Sequence, residues 1–179
     1  MGTLKTTNIE TISGSGTLTV GASGETIALG ATTNNLLTPS FKVRNNADQT
    51  LADGTWTKLT LDTEIYDTDS AFASDKFTVP SGKDGKYFIS YQVSLNVTTD
   101  WRMAWGAIYV NGVLEDTLKA KISLNSTLFN DGECVMSING VLDLSATDYV
   151  EAYGRIYSPS GGTIVAEGGS CVLQGYRII

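Results

Sequence analysis

Histidine is absent from this chain of 179 residues. Its absence excludes Ser-His-Asp and Cys-His catalysis, and it removes the commonest general base and the commonest transition-metal ligand. The sequence contains no other compact catalytic motif. We therefore expect a protein that is not an enzyme, with no catalytic residues and no cofactor.

Basic residues are scarce: 12 Lys and Arg stand against 19 Asp and Glu, which gives a net charge of −7. No cluster of Lys and Arg offers counter-charge to phosphates, so neither nucleic acid nor an anionic membrane is an expected partner. No apolar run approaches the ~18 residues that a membrane-spanning helix needs. The N-terminus lacks the apolar core of a signal peptide, so export by the general secretory route is not expected.

Only two cysteines are present, Cys134 and Cys171. They fall in two predicted strands that are far apart in the sequence, and they could pair only if those strands were neighbours. Because no secretion signal is recognised, the favoured interpretation is two buried thiols that act as small apolar side chains.

The composition that remains favours β-structure. The chain has 19 Gly and only 3 Pro, is rich in Thr and Ser, and shows no convincing amphipathic helix. About eight to ten short strands, with turns roughly every 8–12 residues, predict an all-β sandwich or jelly roll. Among them, Thr55–Tyr66 is predicted as an alternating segment with one register change, at a bulge or a bend, and Asn111-Gly112 as the turn of a hairpin.

The most regular stretch is Phe77–Val97, predicted as two strands joined by a tight turn at Ser81–Gly85. After the turn, one face of the strand carries Tyr87, Ile89, Tyr91, Val93, Leu95 and Val97. The other face carries Phe88, Ser90, Gln92, Ser94 and Asn96. The first face is predicted to be buried. The second is mixed, so we expect it to be covered by another sheet edge or by another copy of the chain.

The first 35 residues differ from the rest, since they contain no aromatic residue and only scattered aliphatic ones. A short repeat relates Gly16–Ala22 to Glu25–Ala31. Its aliphatic positions are Leu18, Val20, Ile27 and Leu29. Such a unit cannot bury these side chains by itself and must stack on neighbours, so we predict an anchoring arm over residues 1–35 and a head over residues 36–179. The alternative is a disordered linker.

Carboxylates cluster in predicted loops, at Asp62, Glu64, Asp67, Asp69, Glu115 and Asp116. We interpret them as solvated residues that cap turns. Two alternatives are an acid–base pair for glycoside cleavage and a Ca²⁺ site, although no EF-hand spacing supports a metal and none is predicted.

Two neighbouring residues, Trp101 and Arg102, are the candidate contacts for a receptor or glycan. An exposed aromatic ring can stack on a sugar ring, and Trp101 follows a predicted loop. Trp105, by contrast, alternates with Met103 and Ala107 and is assigned to the core.

Four separated motifs carry a family resemblance. They are F-T-V-P at Phe77–Pro80 followed by G-x-Y-x-x-S-Y-x-V at Gly85–Val93, Y-V-N-G at Tyr109–Gly112, the run Gly140–Tyr153, and the run Ser170–Ile178. Their order resembles the C1q-like and tumour-necrosis-factor-like jelly roll over residues 40–179, without that family's collagen-like stem. The resemblance implies a homotrimer whose last strand lies near the axis. The residues assigned to trimer or core packing are Tyr87, Ile89, Tyr91, Val93, Tyr176 and Ile178.

The arm over residues 1–35 resembles the stem segments of phage tail-fibre and other virion surface proteins, in which Thr/Gly-rich β-segments of three chains intertwine. The two resemblances imply a non-enzymatic homotrimer on a phage virion, as a short fibre, a capsid decoration protein or a tail-tip protein. It would assemble in the host cytoplasm, bind capsid or tail proteins through the arm and face a host glycan or receptor with its head. A small glycan-cleaving tail spike and a secreted C1q-like ligand are the alternatives.

Overall fold

The computed structural model describes residues 37–124 and 132–179, which belong to one structural unit, Asn35–Ile179. These described residues form thirteen strands and no α-helix. The strands are β1 (Ser40–Arg44), β2 (Gln49–Thr50), β3 (Thr57–Lys58), β4 (Thr63–Asp67), β5 (Phe72–Ala73), β6 (Lys76–Thr78), β7 (Gly85–Val97), β8 (Met103–Val110), β9 (Val113–Ser123), β10 (Gly132–Leu144), β11 (Tyr149–Tyr157), β12 (Ile164–Ala166) and β13 (Val172–Arg177). This part of the chain therefore contains no helix that could cross a membrane.

The predicted arm over residues 1–35 lies outside the described residues. The same holds for its four aliphatic positions, Leu18, Val20, Ile27 and Leu29. Their assignment to an anchoring stem stays a prediction.

The strands form two antiparallel sheets around one hydrophobic core. The first sheet has seven strands, in the order β2-β12-β7-β13-β1-β4, with β10 paired to the other side of β7. The second sheet has six strands, in the order β5-β6-β11-β8-β9, with β3 paired to β11. The predicted all-β sandwich is confirmed.

Strand β7 lies in the middle of the first sheet and shows the predicted alternation. Its predicted buried face is buried throughout, because Tyr87, Ile89, Tyr91 and Val93 all point into the core of the single chain. The hydroxyl of Tyr87 donates to the carbonyl of Lys83 at 2.6 Å. These four residues therefore serve the core of one chain rather than a contact between chains.

The prediction that Phe77–Val97 is a hairpin is wrong. Strand β6 pairs with β5 and β11 in the second sheet, whereas β7 belongs to the first sheet, so the chain crosses from one sheet to the other at Ser81–Gly85. The cause lies outside the segment: the backbone of Val79 exchanges hydrogen bonds with Thr147 and Asp148, in the turn between β10 and β11. Those bonds hold the end of β6 on the second sheet.

The segment Thr55–Tyr66 does bend, but it is not one continuous strand. Its two ends form β3 in the second sheet and β4 in the first. Between them the N–H of Thr60 donates to Gln49 Oε1 and the N–H of Leu61 donates to Asp75 Oδ1, each at 2.8 Å. Side chains thus satisfy backbone donors that a strand would pair with its neighbour, and the ladder is interrupted.

Two local predictions are confirmed. Asn111 and Gly112 both have positive φ, 53° and 76°, and join β8 to β9 in the hairpin that this dipeptide favours. Cys134 and Cys171 are free and buried, and burial raises the pKa of each thiol to about 11. The cysteines are apolar core residues.

Candidate functional site

The outer face of the first sheet carries a row of apolar side chains. Phe88 of β7 is the register partner of both Val141 of β10 and Tyr176 of β13, so the three lie side by side across three strands. The ring centroids of Phe88 and Tyr176 are 5.5 Å apart. Val141 is 55% exposed and Tyr176 is 40% exposed. We call these three residues the apolar row.

Further exposed apolar side chains lie beside the apolar row, toward the C-terminus and toward β4. Ile178 and Ile179 are exposed beyond Tyr176, and Tyr66 is exposed on the edge strand. A depression of about 190 Å³ is lined by Tyr66, Phe88, Gln174, Gly175 and Tyr176. Exposed apolar surface of this kind marks interaction sites. Of the six residues predicted for trimer or core packing, Tyr176 and Ile178 are therefore the two with surface available to a second chain.

The assignment of Trp101 as an exposed glycan contact is wrong. Its side chain is only 4% exposed and belongs to the hydrophobic core. The backbone on either side of it is tied to the end of β11 and the residue after it: the N–H of Arg102 donates to the carbonyl of Tyr157 at 2.9 Å, and the Ser158 hydroxyl donates to the carbonyl of Asp100 at 2.6 Å. This attachment holds the indole in the core, while Arg102 is exposed.

The core assignment of Trp105 is wrong in the opposite sense. Trp105 is half-buried and is aligned on β8 with Met103 and Tyr109, whereas Ala104 and Ile108 point into the core. Alternation alone could not say which of the two sides of β8 is the inner one. The structure places Trp105 on the outer face of the second sheet.

Four aromatic rings lie together on that outer face, and we call them the aromatic patch: Trp56, Trp105, Tyr109 and Tyr153. The centroid of Trp56 is 6.4 Å from that of Trp105 and 6.1 Å from that of Tyr109. Tyr109 in turn stacks on Tyr153 at 3.9 Å. Burial raises the pKa of both tyrosine hydroxyls above the usual range. Tyr153 and Arg155 are two residues apart and therefore share one side of β11, but no pattern in the sequence could bring Trp56 to them.

Two cationic side chains lie against Trp105 in the aromatic patch. The guanidinium carbon of Arg155 lies 4.6 Å from the ring centroid of Trp105, and Lys121 Nζ lies 5.4 Å from the same centroid. Register explains this, because Trp105 is the partner of Arg155 on β11 and of Lys121 on β9. Both contacts fall within the range of cation–π attraction.

Three of the six carboxylates that we predicted to lie in loops accept hydrogen bonds from backbone N–H groups. Asp62 accepts the N–H of Asn46 at 2.8 Å, Asp67 accepts that of Phe72 at 2.7 Å, and Glu115 accepts that of Thr117 at 3.1 Å. Of these, Asp67 and Glu115 cap local backbone as predicted. The predicted placement in loops is wrong for four of the six, since Glu64 and Asp67 lie in β4 and Glu115 and Asp116 lie in β9. In residues 37–124 and 132–179 no group of three or more potential metal ligands comes together.

A polar cluster lies on the outer face of the first sheet, and no sequence motif predicts it. Ser94 Oγ lies 2.7 Å from Glu133 Oε1 and 2.8 Å from Glu167 Oε2, and Asn96 donates to Glu167 Oε1 at 2.8 Å. The hydrogen bonds from Asn96 and Ser94 lower the pKa of Glu167 below its usual value. The cluster thus keeps Glu167 ionised.

Together, the two facing antiparallel sheets and the long central strand define the class, an antiparallel jelly-roll sandwich. No family model matches the chain, and no curated protein matches it. Among solved structures it is similar to the globular domain of zebrafish complement 1qA protein, with a TM-score of 0.51 at 16% sequence identity, over 79% of this chain and 98% of that one. At this identity the likeness shows the fold alone. The head is a C1q-like jelly roll, as predicted.

Proposed function

We propose that this protein is a non-enzymatic, homotrimeric surface protein of a phage virion. Its C1q-like domain forms the outward head, and residues 1–35 anchor it to capsid or tail proteins. In this role it is a short fibre, a decoration protein or a tail-tip protein, with a host glycan or receptor as its ligand. The proposal requires no cofactor.

The observation that carries the trimer is the apolar row. Val141 and Tyr176 leave about half of their side-chain surface in water although the sheet beneath them is well packed. Three copies around an axis would cover this surface at once, with β13 near the axis as the family resemblance implies. Burial of apolar area at ~25 cal/mol per Å² is the expected driving force.

The virion assignment rests on the arm. Its Thr- and Gly-rich composition and its paired aliphatic positions resemble intertwined stems.

The trimer is tested by comparing two exposed valines. Light scattering of the wild type should give three times the chain mass of 19.1 kDa. Val141→Asp should dissociate the trimer at micromolar concentration, because it places three carboxylates in an apolar contact. Val113→Asp is the matched control: Val113 is 68% exposed at the start of β9, and its replacement should leave the trimer intact.

A wild-type chain that is monomeric at micromolar concentration would contradict the proposed trimer. A Val141→Asp variant that assembles like the wild type would move the contact to another face. Circular dichroism of each variant separates dissociation from unfolding.

The location is tested with virions. Deleting residues 1–35 should leave a folded head that no longer decorates particles, as seen by particle reconstruction with wild-type and truncated chains. Decoration by the truncated chain would show that the head, rather than the arm, makes the attachment.

A further inference from the structure

We propose that the aromatic patch binds a carbohydrate that bears carboxylate groups, with Arg155 as the contact for the carboxylate. This inference deepens the receptor-binding part of the proposed function and gives it a site. It depends on neither the trimer nor the virion location, so an experiment can refute the sugar-binding site without refuting the proposed trimer, and the reverse.

The rings form a connected surface. Trp56 reaches both Trp105 and Tyr109, and Tyr109 stacks on Tyr153, so apolar contact runs without a break from β8 to β11. All four rings are half-buried, which means that each is held by the sheet and still presents surface to solvent. Rigid Trp and Tyr side chains lose little entropy when a ligand covers them.

The charge around these rings is opposite to that of the whole chain. Five of the 12 basic residues lie on the outer face of the second sheet: Lys58, Lys76, Lys119, Lys121 and Arg155. Lys58 and Lys119 are neutralised by carboxylates, at 2.9 Å from Glu151 and 2.6 Å from Asp116. The remaining three lie over aromatic rings instead.

Arg155 is the most unusual of these three. Its Nε atom is buried and has no hydrogen-bond partner among the described residues, and its guanidinium forms no ion pair with a carboxylate in that part of the chain. The nearest acidic residue along β11, Glu151, is already paired with Lys58. A guanidinium held in place over Trp105 without a counter-ion has donors left for an anion.

One ligand chemistry satisfies both features. The C–H face of a pyranose ring stacks on aromatic side chains, and a carboxylate on the same ring offers two oxygens to the forked donors of an arginine. Apolar rings with a few convergent polar groups are the usual makeup of a small-ligand site. A uronic acid unit within an oligosaccharide has this combination.

Single-stranded nucleic acid also stacks on aromatic rings beside cations. The net charge of −7 opposes it, because a polyphosphate brings a charge on every nucleotide to an acidic protein. A sugar with an isolated carboxylate meets the local cations and less of that long-range repulsion. The carbohydrate is therefore the favoured occupant.

The probe is cellobiouronic acid, a disaccharide with a single carboxylate, with its methyl ester as the uncharged control, in calorimetric titrations of the full chain. The wild type should bind the acid about tenfold or more tightly than the ester, as expected for one charge-assisted hydrogen-bonded pair. Arg155→Gln should remove this preference and leave the weak binding of the ester unchanged. Arg44→Gln is the matched control, since it removes the same charge from β1 in the first sheet and should change neither affinity.

A second variant tests the rings. Trp56 precedes β3 and touches two members of the patch, so Trp56→Ala should weaken both the acid and the ester about tenfold. Trp56→Ala also removes two ring contacts within the chain, so circular dichroism of the variant shows whether the head remains folded.

Four results would overturn the inference. They are no binding of either sugar, equal binding of acid and ester by the wild type, loss of binding in Arg44→Gln equal to that in Arg155→Gln, or tighter binding of oligo(dT) than of the acid. Light scattering on the same samples detects the remaining occupant, a second copy: an oligomer that Trp56→Ala dissociates would assign the patch to self-association. A trimer that binds no sugar refutes this inference alone, and a monomer that binds the sugar refutes only the trimer.

Discussion

The two outer faces of the sandwich differ although the sheets share one core. On the first sheet, Phe88, Val141 and Tyr176 form an apolar row beside a polar cluster around Glu167. On the second, aromatic rings alternate with cations. The inner sides of both sheets are alike because they must pack together. The outer sides are free of that constraint, so each can serve one of the two partners that we propose.

The largest expected effect comes from breaking the core that both faces share. Tyr91→Asp should lower the free energy of unfolding by about 4 kcal/mol or more, because the side chain is fully buried and donates to the carbonyl of Tyr153. Gln92→Asp, the next residue along β7, should cost about 1 kcal/mol, since it loses only an exposed hydrogen bond to Ser170. Urea unfolding measures both. Similar losses for the two variants would contradict the assignment of the inner face.

A smaller effect should separate the two outer faces. Tyr176→Ser should weaken self-association about tenfold, because it removes an exposed ring from the surface proposed for the trimer contact, while sugar binding is retained. Tyr109→Ser should do the reverse, because its ring contacts Trp56 and Tyr153. Sedimentation and calorimetry on the same preparations measure the two properties. A variant that loses both would mean that one face serves both partners.

The smallest effect is one of pH, and it belongs to the first sheet. Since the pKa of Glu167 is lowered in the folded chain, its contribution to stability is complete above the usual carboxyl pKa and is lost as the pH falls through the lowered value. Glu167→Gln should therefore reduce the loss of stability between pH 5 and pH 2, as judged by urea midpoints. Asp143→Asn, which removes an exposed ion pair with Lys86, should change that loss little. Equal pH profiles for the wild type and Glu167→Gln would contradict the role of the cluster.

Several features could be predicted from residues close together in the chain. The alternation of Tyr87, Ile89 and Tyr91 follows from the two-residue period of a strand, and the structure has all three in the core. The turn at Asn111-Gly112 follows from the positive φ that both residues tolerate. Such features depend on the local backbone geometry of neighbouring residues, so a short stretch of sequence is enough to predict them.

The errors share a different cause. The sequence predicts an exposed Trp101, but backbone bonds near the end of β11, more than fifty residues away, hold its ring in the core. The hairpin at Phe77–Val97 was expected from its turn, but hydrogen bonds from Val79 to the β10–β11 turn hold β6 on the other sheet. In both cases the deciding contacts come from distant residues.

By itself, the sequence determined the fold class and which side chains alternate along each strand, because composition and the two-residue period are properties of the chain alone. Only the tertiary structure decided which side of β8 faces outward, and that Trp56, Trp105 and Tyr153 meet beside Arg155. Those facts depend on strand pairing across the sheet. Pairing is chosen by the packing of the whole core, which no short stretch of sequence contains.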